Sequence, residues 1–469
     1  MKKINKIALI AGVVSTSLLW SCKKDFLELK PYTDIPAGDA VNSPANMKSA
    51  LNGAYRTMMG VNLYGRTIPV FGDLLGDNVF VSAANSGRYI AEKNYSFTVN
   101  DADISGIWNS SYSAILRANN IINSELTTDE VKQVKGEAYA LRALNYFNLV
   151  RLYAKPYTDD PKSAGVPLVL TYDPTLLPAR NTVEEVYTQI LSDLDQAYSL
   201  MSEYRGTTYF SKYAARALAA KVNLYKGDYQ NAYDFSNDVI TNGGFSLVPA
   251  SGLKGYFAVQ DPPTGQVETL FEVASDPVNN LSFDELVNIY AQTYPNDGST
   301  YGDLLTTKTL YDQYSATDVR KALITTGKRN RPAGEAFAYF VNKYPNASGN
   351  YGLKKVIRLS EVYLIAAEAG ARLGKADAVT KLNTLMAQRD PSKIYTSTGV
   401  QLVNDVIAER RKELAFEGDR FFDLNRLKAT IERGSDYPTG PIPYGANKRV
   451  LPIPQSELNV NPNIVQNPL

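Results

Sequence analysis

The chain has 469 residues with Lys+Arg 49 against Asp+Glu 48, enough apolar material for a large core and almost no net charge. That balance, with no basic stripe along the chain, excludes a nucleic-acid footprint. Histidine is absent, which removes Ser-His-Asp and Cys-His catalysis, His-bearing zinc sites and imidazole proton shuttles.

The chain opens with Lys2, Lys3 and Lys6, followed by a mostly apolar run over residues 7–20. The run is well short of the ~20 residues a bilayer-spanning helix needs, so it reads as a cleaved export signal. It ends Leu19-Trp20-Ser21-Cys22, and Cys22 is the only cysteine. This ending resembles the lipobox of bacterial lipoproteins, in which the cysteine is lipidated and becomes the new N-terminus. An ordinary secretory signal with a chance cysteine is the alternative. The expected organisation is a signal over 1–21, a lipidated leader over 22–42 and one domain over 43–469.

A helical pattern runs from 43 to 59, and 60–103, rich in Gly, Asn and Asp, reads as long loops. Helices return over 104–124, where Trp108 lies on an apolar stripe. Thr127-Thr128-Asp129-Glu130 looks like a capping box opening a helix through Tyr153, and Thr182-Val183-Glu184-Glu185 like a second. Behind the latter, Val183, Tyr187, Ile190, Leu194, Ala197 and Met201 recur at helical spacing. Ala-rich helix, Gly turn and second helix occur twice, around Gly227 and around Gly374, as in tetratricopeptide units, which must stack to bury their apolar faces. Between them, 243–353 is poor in helical periodicity and rich in Gly, Asn and Tyr, as binding loops on a helical frame are. The fold class is therefore mainly α: tetratricopeptide-like helical pairs over 43–59, 104–242 and 354–430, with long irregular loops and a few short strands.

The segment 405–426 is the most charge-dense. Glu409, Glu413 and Glu417 recur at i+4 along one helix face, and two such carboxylates would suit a glycosidase. The competing reading pairs them with arginines around Phe416, Phe421 and Phe422, and it is preferred because carboxylates among so many cations stay ionised. The segment from Gly370 to Lys375 is too short for a phosphate loop and reads as a turn. The Asp73-Leu74-Leu75-Gly76-Asp77-Asn78 cluster has oxygens for calcium but reads as a turn or cap. No cofactor is expected.

Several of these stretches resemble a known family. Cys22 to Glu28, Arg142 to Val150, Arg358 to Ala369, Glu409 to Gly418 and Leu451-Pro452-Ile453-Pro454 through Asn463 are similar, in order, to segments of the SusD/RagB family. The resemblance implies a lipid-anchored protein on the outer-membrane surface, with tetratricopeptide-like pairs on one side and loops and small strands on the other. It implies a binding protein and no enzyme, which captures glycans, or peptides as in RagB-like members, for a SusC-like TonB-dependent transporter. A carboxylate-dependent surface glycoside hydrolase and a scaffold that binds only proteins are the other functions considered.

Starch-binding relatives use an arc of aromatics. Only Trp20 and Trp108 occur here, the first in the signal and the second on the core stripe, so a tryptophan arc is ruled out. Tyrosine, which offers an apolar face and a polar tip, must supply any stacking. The expected ligand residues are Asn85, Arg88, Tyr89 and Tyr95 in the first loop region, and Tyr290, Tyr294, Asn296, Asp297 and Tyr301 in the second.

Overall fold

The computed structural model describes residues 41–292, 300–344 and 351–469. Cys22, Tyr294, Asn296 and Asp297 lie outside the described residues. Helix α1 (Pro44–Met58) starts where Ser43 accepts a hydrogen bond from the Asn46 N–H at 3.2 Å. Its buried residues Met47, Leu51, Ala54 and Met58 form one stripe.

The stretch 60–103, expected as loops, instead holds α2 (Thr67–Leu74), β1 (Val79–Val81) and α3 (Ile90–Asn94). Every residue of α2 is buried, so no polar face marks it as helical in the sequence. Helix α4 (Ala102–Ile122) is capped by Asp101, and Trp108 on it is 1% exposed, in the core as expected. Helix α5 (Asp129–Tyr153) follows Thr128, but that side chain makes no capping bond, so the first expected box does not form. Helix α6 (Val183–Leu200) has the second box: Thr182 Oγ1 accepts from the Glu185 N–H at 3.2 Å, and Glu185 Oε2 accepts from the Thr182 N–H at 2.7 Å.

Helices α7 (Lys212–Lys226) and α8 (Tyr229–Asn242) are the first Ala-rich pair. The chain then runs through α9 (Leu253–Ala258), β2 (Thr269–Ala274), α10 (Leu286–Tyr290), β3 (Leu304–Thr306) and α11 (Lys308–Tyr311). It continues through β4 (Ile324–Gly327), β5 (Ala338–Val341) and β6 (Leu353–Arg358) into the second pair, α12 (Leu359–Arg372) and α13 (Ala378–Met386). Ala220, Leu224 and Ala232 of the first pair share a buried cluster with Ile365 and Ala369 of the second, so the pairs stack although far apart in sequence. Gly370 permits the close approach: a Cβ there would lie 3.1 Å from the Ala378 methyl and from the Tyr233 ring.

The strands make two antiparallel sheets, one ordered β1-β3-β5-β4 and one pairing β2 with β6. The charged segment is not one helix. It comprises the end of α14 (Gly399–Glu413), a turn with Phe416 at φ 70° and Gly418 at φ 82°, and α15 (Arg420–Arg426). Helix α16 (Gln455–Val460) follows, and its Glu457 accepts from Trp108 Nε1 at 3.2 Å.

Candidate functional site

The loops between β1 and α3, before α10, and before β3 meet at one chain of polar contacts. Asp284 Oδ1 accepts from Arg66 Nη1 at 2.6 Å and from Arg88 Nη2 at 3.2 Å. Arg88 also donates to the Tyr301 hydroxyl at 2.5 Å, and its guanidinium lies 3.8 Å from the centre of that ring. Phe283 meets Tyr301 edge-on at 4.3 Å. The Arg88 side chain keeps 33% of its exposure and Asp284 47%, so solvent reaches this cluster. Buried Arg329 joins the two loops from beneath, donating to the backbone carbonyls of Ala84 and Gly302.

Of the expected ligand residues, Arg88 and Tyr301 come together here. Asn85 lies in the same loop, but its amide holds the turn, with Nδ2 donating to the Ser82 carbonyl and Oδ1 accepting from the Gly87 N–H. Tyr89, Tyr95 and Tyr290 are corrections: they are 3%, 2% and 0% exposed. Tyr89 and Tyr95 flank α3 with φ of 57° and 50°, a left-handed backbone that turns both rings inward. The Tyr89 hydroxyl accepts from Arg66 Nε at 2.8 Å, and Tyr95 donates to the Leu75 carbonyl. Tyr290 stacks on Tyr344 in the core, 5.7 Å between centres. Burial raises all three phenols above the ordinary tyrosine range. They fix the loops and present no face to a ligand.

Asp276 and Asn279, upstream of Asp284, border an open groove that is also lined by Arg56, Tyr209, Asp261 and Pro262 among others. Arg56 donates to Asn279, which ties α1 to the segment that ends in Asp284. Arg205 lies 4.1 Å from the centre of the Tyr209 ring, and Tyr55 meets its edge at 5.2 Å. The sequence reading missed Arg56 and Tyr209 because both belong to stretches read as scaffold. The available signal was the run Tyr204-Arg205-Gly206-Thr207-Thr208-Tyr209, turn-like and aromatic between two helices.

The charged segment is a buried ion-pair network. Glu413 accepts from Arg358 Nη1 at 2.9 Å, from Arg389 Nε at 3.0 Å and from Arg320 Nη1 at 3.3 Å. Glu417 accepts from Arg358 Nε at 2.7 Å, and Glu409 from Arg320 Nη2 and Lys412 Nζ, both at 2.6 Å. Burial favours the protonated acids, but the surrounding cations outweigh it. Glu413 is held well below the usual carboxylate range, Glu417 is lowered, and Glu409 is lowered to about 2. None of the three is poised for proton transfer, which supports the paired reading of this segment. Glu417 sits in the turn beyond α14, so it does not continue the helical face of Glu409 and Glu413. The Asp73–Asn78 cluster is likewise engaged: Asp73 accepts from the Gly418 N–H at 2.8 Å and Asp77 from Arg420 Nε at 2.6 Å.

Two family models match the chain. One, described as starch-binding associating with outer membrane, covers residues 25–224, and one described as the SusD family covers 324–469. A SusD superfamily protein of Bacteroides thetaiotaomicron, in its crystal structure, is 31% identical with a TM-score of 0.82, over 91% of this chain and 100% of that one. The chain belongs to the SusD/RagB family. A SusD-like protein of Formosa agariphila, P2, is 27% identical over 94% of this chain and 95% of its own. A structure described as a laminarin-binding SusD-like protein has the same fold, with a TM-score of 0.74 at 23% identity over 90% and 99% of the two chains.

Residues 225–323 fall between the two matched stretches, and they hold Asp276, Asn279, Asp284 and Tyr301. Arg358, Glu413 and Glu417 fall inside the SusD match.

Proposed function

We propose that this protein captures a glycan on the outer-membrane surface and passes it to a SusC-like TonB-dependent transporter. Family membership supports the class of function, and one local observation supports the choice of residues: Arg88 lies over the Tyr301 ring in a solvent-reached cluster with Asp284, five residues along the chain from Asn279 of the groove that contains Tyr209. Sugar rings present apolar C–H faces with hydroxyls at the rim, and tyrosine, arginine and carboxylate side chains match both parts. In this reading the ligand is held without chemistry; the acids that a hydrolase would draw from the charged segment, Glu409, Glu413 and Glu417, are buried and ion-paired.

The anchor is a lipidated Cys22. Among the described residues no helix is long and apolar enough to cross a membrane. A single acyl chain holds a protein marginally, whereas two or more hold it stably, so a triacylated cysteine suffices.

The test is isothermal titration of purified mature protein against soluble glycans, laminarin and starch oligosaccharides included, and against peptides, with reducing ends assayed in parallel. Saturable glycan heat without new reducing ends supports the proposal. Heat with peptides alone identifies a RagB-like peptide binder, and glycan turnover identifies an enzyme; either result overturns it.

A further inference from the structure

Glu92, Asp101 and Asp103 each bring a carboxylate oxygen within 4.8 Å of the others. Asp101 caps α4 and Asp103 lies in its first turn, whereas Glu92 comes from α3. The start of α4 accounts for the two aspartates. Asp101 Oδ1 accepts from the N–H groups of Asp103 and Ile104 at 3.0 and 3.2 Å, and a helix N-terminus favours negative charge.

It does not account for Glu92. That residue is 2% exposed, and its Oε1 has no hydrogen-bond partner. The arginines whose charge reaches Asp103, Arg66 and Arg88, form their ion pairs with Asp284 instead. A buried carboxylate with an unpartnered oxygen, set within 4.8 Å of two further carboxylates, repels its neighbours unless a cation or a proton joins them.

We propose that Glu92, Asp101 and Asp103 hold a calcium ion that fastens the turn between α3 and α4. The donors are all carboxylate oxygens, which select a hard divalent cation. Calcium accepts irregular and bidentate carboxylate arrangements, whereas magnesium requires a near-ideal octahedron and usually keeps most of its waters. The ion lies one short helix from Arg88, so it fixes the segment from which that arginine projects. This inference stands apart from the identity of the ligand.

The test titrates calcium chloride into EDTA-stripped mature protein, with no glycan present, by calorimetry and thermal melting. Wild type is expected to take up one ion per chain and to melt higher with calcium, with affinity near the ~10⁻⁴–10⁻³ M of extracellular calcium modules. Magnesium is expected to bind at least about ten-fold more weakly. Glu92→Gln is expected to melt at or above calcium-free wild type, because it removes a buried charge, yet to lose the calcium response. Asp103→Asn is expected to weaken calcium binding at least about ten-fold, and it keeps the test open if Glu92→Gln fails to fold. No calcium heat or melting shift in wild type up to about 10 mM, an undiminished response in both variants, or a preference for magnesium overturns the proposal.

Discussion

Arg358 Nη1 lies 2.9 Å from Glu413 Oε1, with the two side chains 1% and 2% exposed. The pair links the end of β6 to the end of α14, and Arg389 and Arg320 close around the same carboxylate. Removing one partner strands buried charge, which costs about 3–5 kcal/mol. Glu413→Gln is therefore expected to lower the unfolding free energy by that amount, read from urea unfolding as a lower midpoint, with no change in any glycan-cleavage assay. Unchanged stability, or a cleavage activity that vanishes with the substitution, would refute the structural role.

The same network makes the protein acid-labile in a defined window. Glu409 is lowered from 4.5 to about 2, with burial opposing the shift and Arg320 and Lys412 outweighing it. A folded-state pKa below the unfolded value gives stability that is complete above about pH 4.5 and lost as pH falls towards 2. The shift corresponds to about 3 kcal/mol. Glu409→Gln is expected to be less stable near neutrality and to show a shallower loss of stability between pH 4.5 and 2. Parallel pH profiles for the two proteins would contradict the assignment.

Gly418 illustrates why the charged segment breaks. Its φ is 82°, and a Cβ there would sit 2.5 Å from the Pro69 Cα, where the turn crosses α2. Gly87, at φ 90°, has open space around the same position. Gly87→Ala should cost only the left-handed backbone penalty of about 1–2 kcal/mol. Gly418→Ala adds a backbone clash and is expected to cost clearly more, read as the difference between the two unfolding midpoints.

These contacts also show which parts of the molecule the sequence discloses. The stripe Met47, Leu51, Ala54 and Met58, the Thr182–Glu185 box and the core position of Trp108 are legible because an amphipathic helix writes its buried face as a period. Helix α2 leaves no such period because all its faces are covered. Tyr89 and Tyr95 resemble exposed loop aromatics until the left-handed backbone on either side of α3 turns them inward, and no local pattern announces that turn. Glu417 leaves the face of Glu409 and Glu413 because Phe416 and Gly418 end the helical geometry, a tertiary requirement set by α2. Arg56 and Tyr209 join the groove only when α1 and the α6–α7 connection fold beside the 276–285 segment.

Localisation is read most directly through the proposed lipid anchor at Cys22. Cys22→Ser is expected to move the protein from the membrane fraction to the soluble fraction of cells expressing the full chain, measured by immunoblotting. Its glycan affinity should be unchanged, since the cysteine lies far along the chain from Arg88 and Tyr301. Full retention in the membrane fraction would show that some other element holds it there.

The ligand assignment turns on separating Tyr301 from Tyr89. Tyr301 is half-buried and carries Arg88 against its ring, whereas Tyr89 is buried and holds Arg66 through its hydroxyl. Tyr301→Ala and Arg88→Ala are each expected to weaken glycan binding at least about ten-fold, about 1.4 kcal/mol, in protein that remains folded at the assay temperature. Tyr89→Phe leaves the Arg66 Nε without its acceptor and is expected to cost about 1–3 kcal/mol of stability. Its glycan affinity should stay within about three-fold of wild type, because the contact surface is not altered. Calorimetry and thermal melting on the same preparations check both halves. If Tyr89→Phe loses binding at full stability while Tyr301→Ala retains it, the contact surface lies on the other side of the loop.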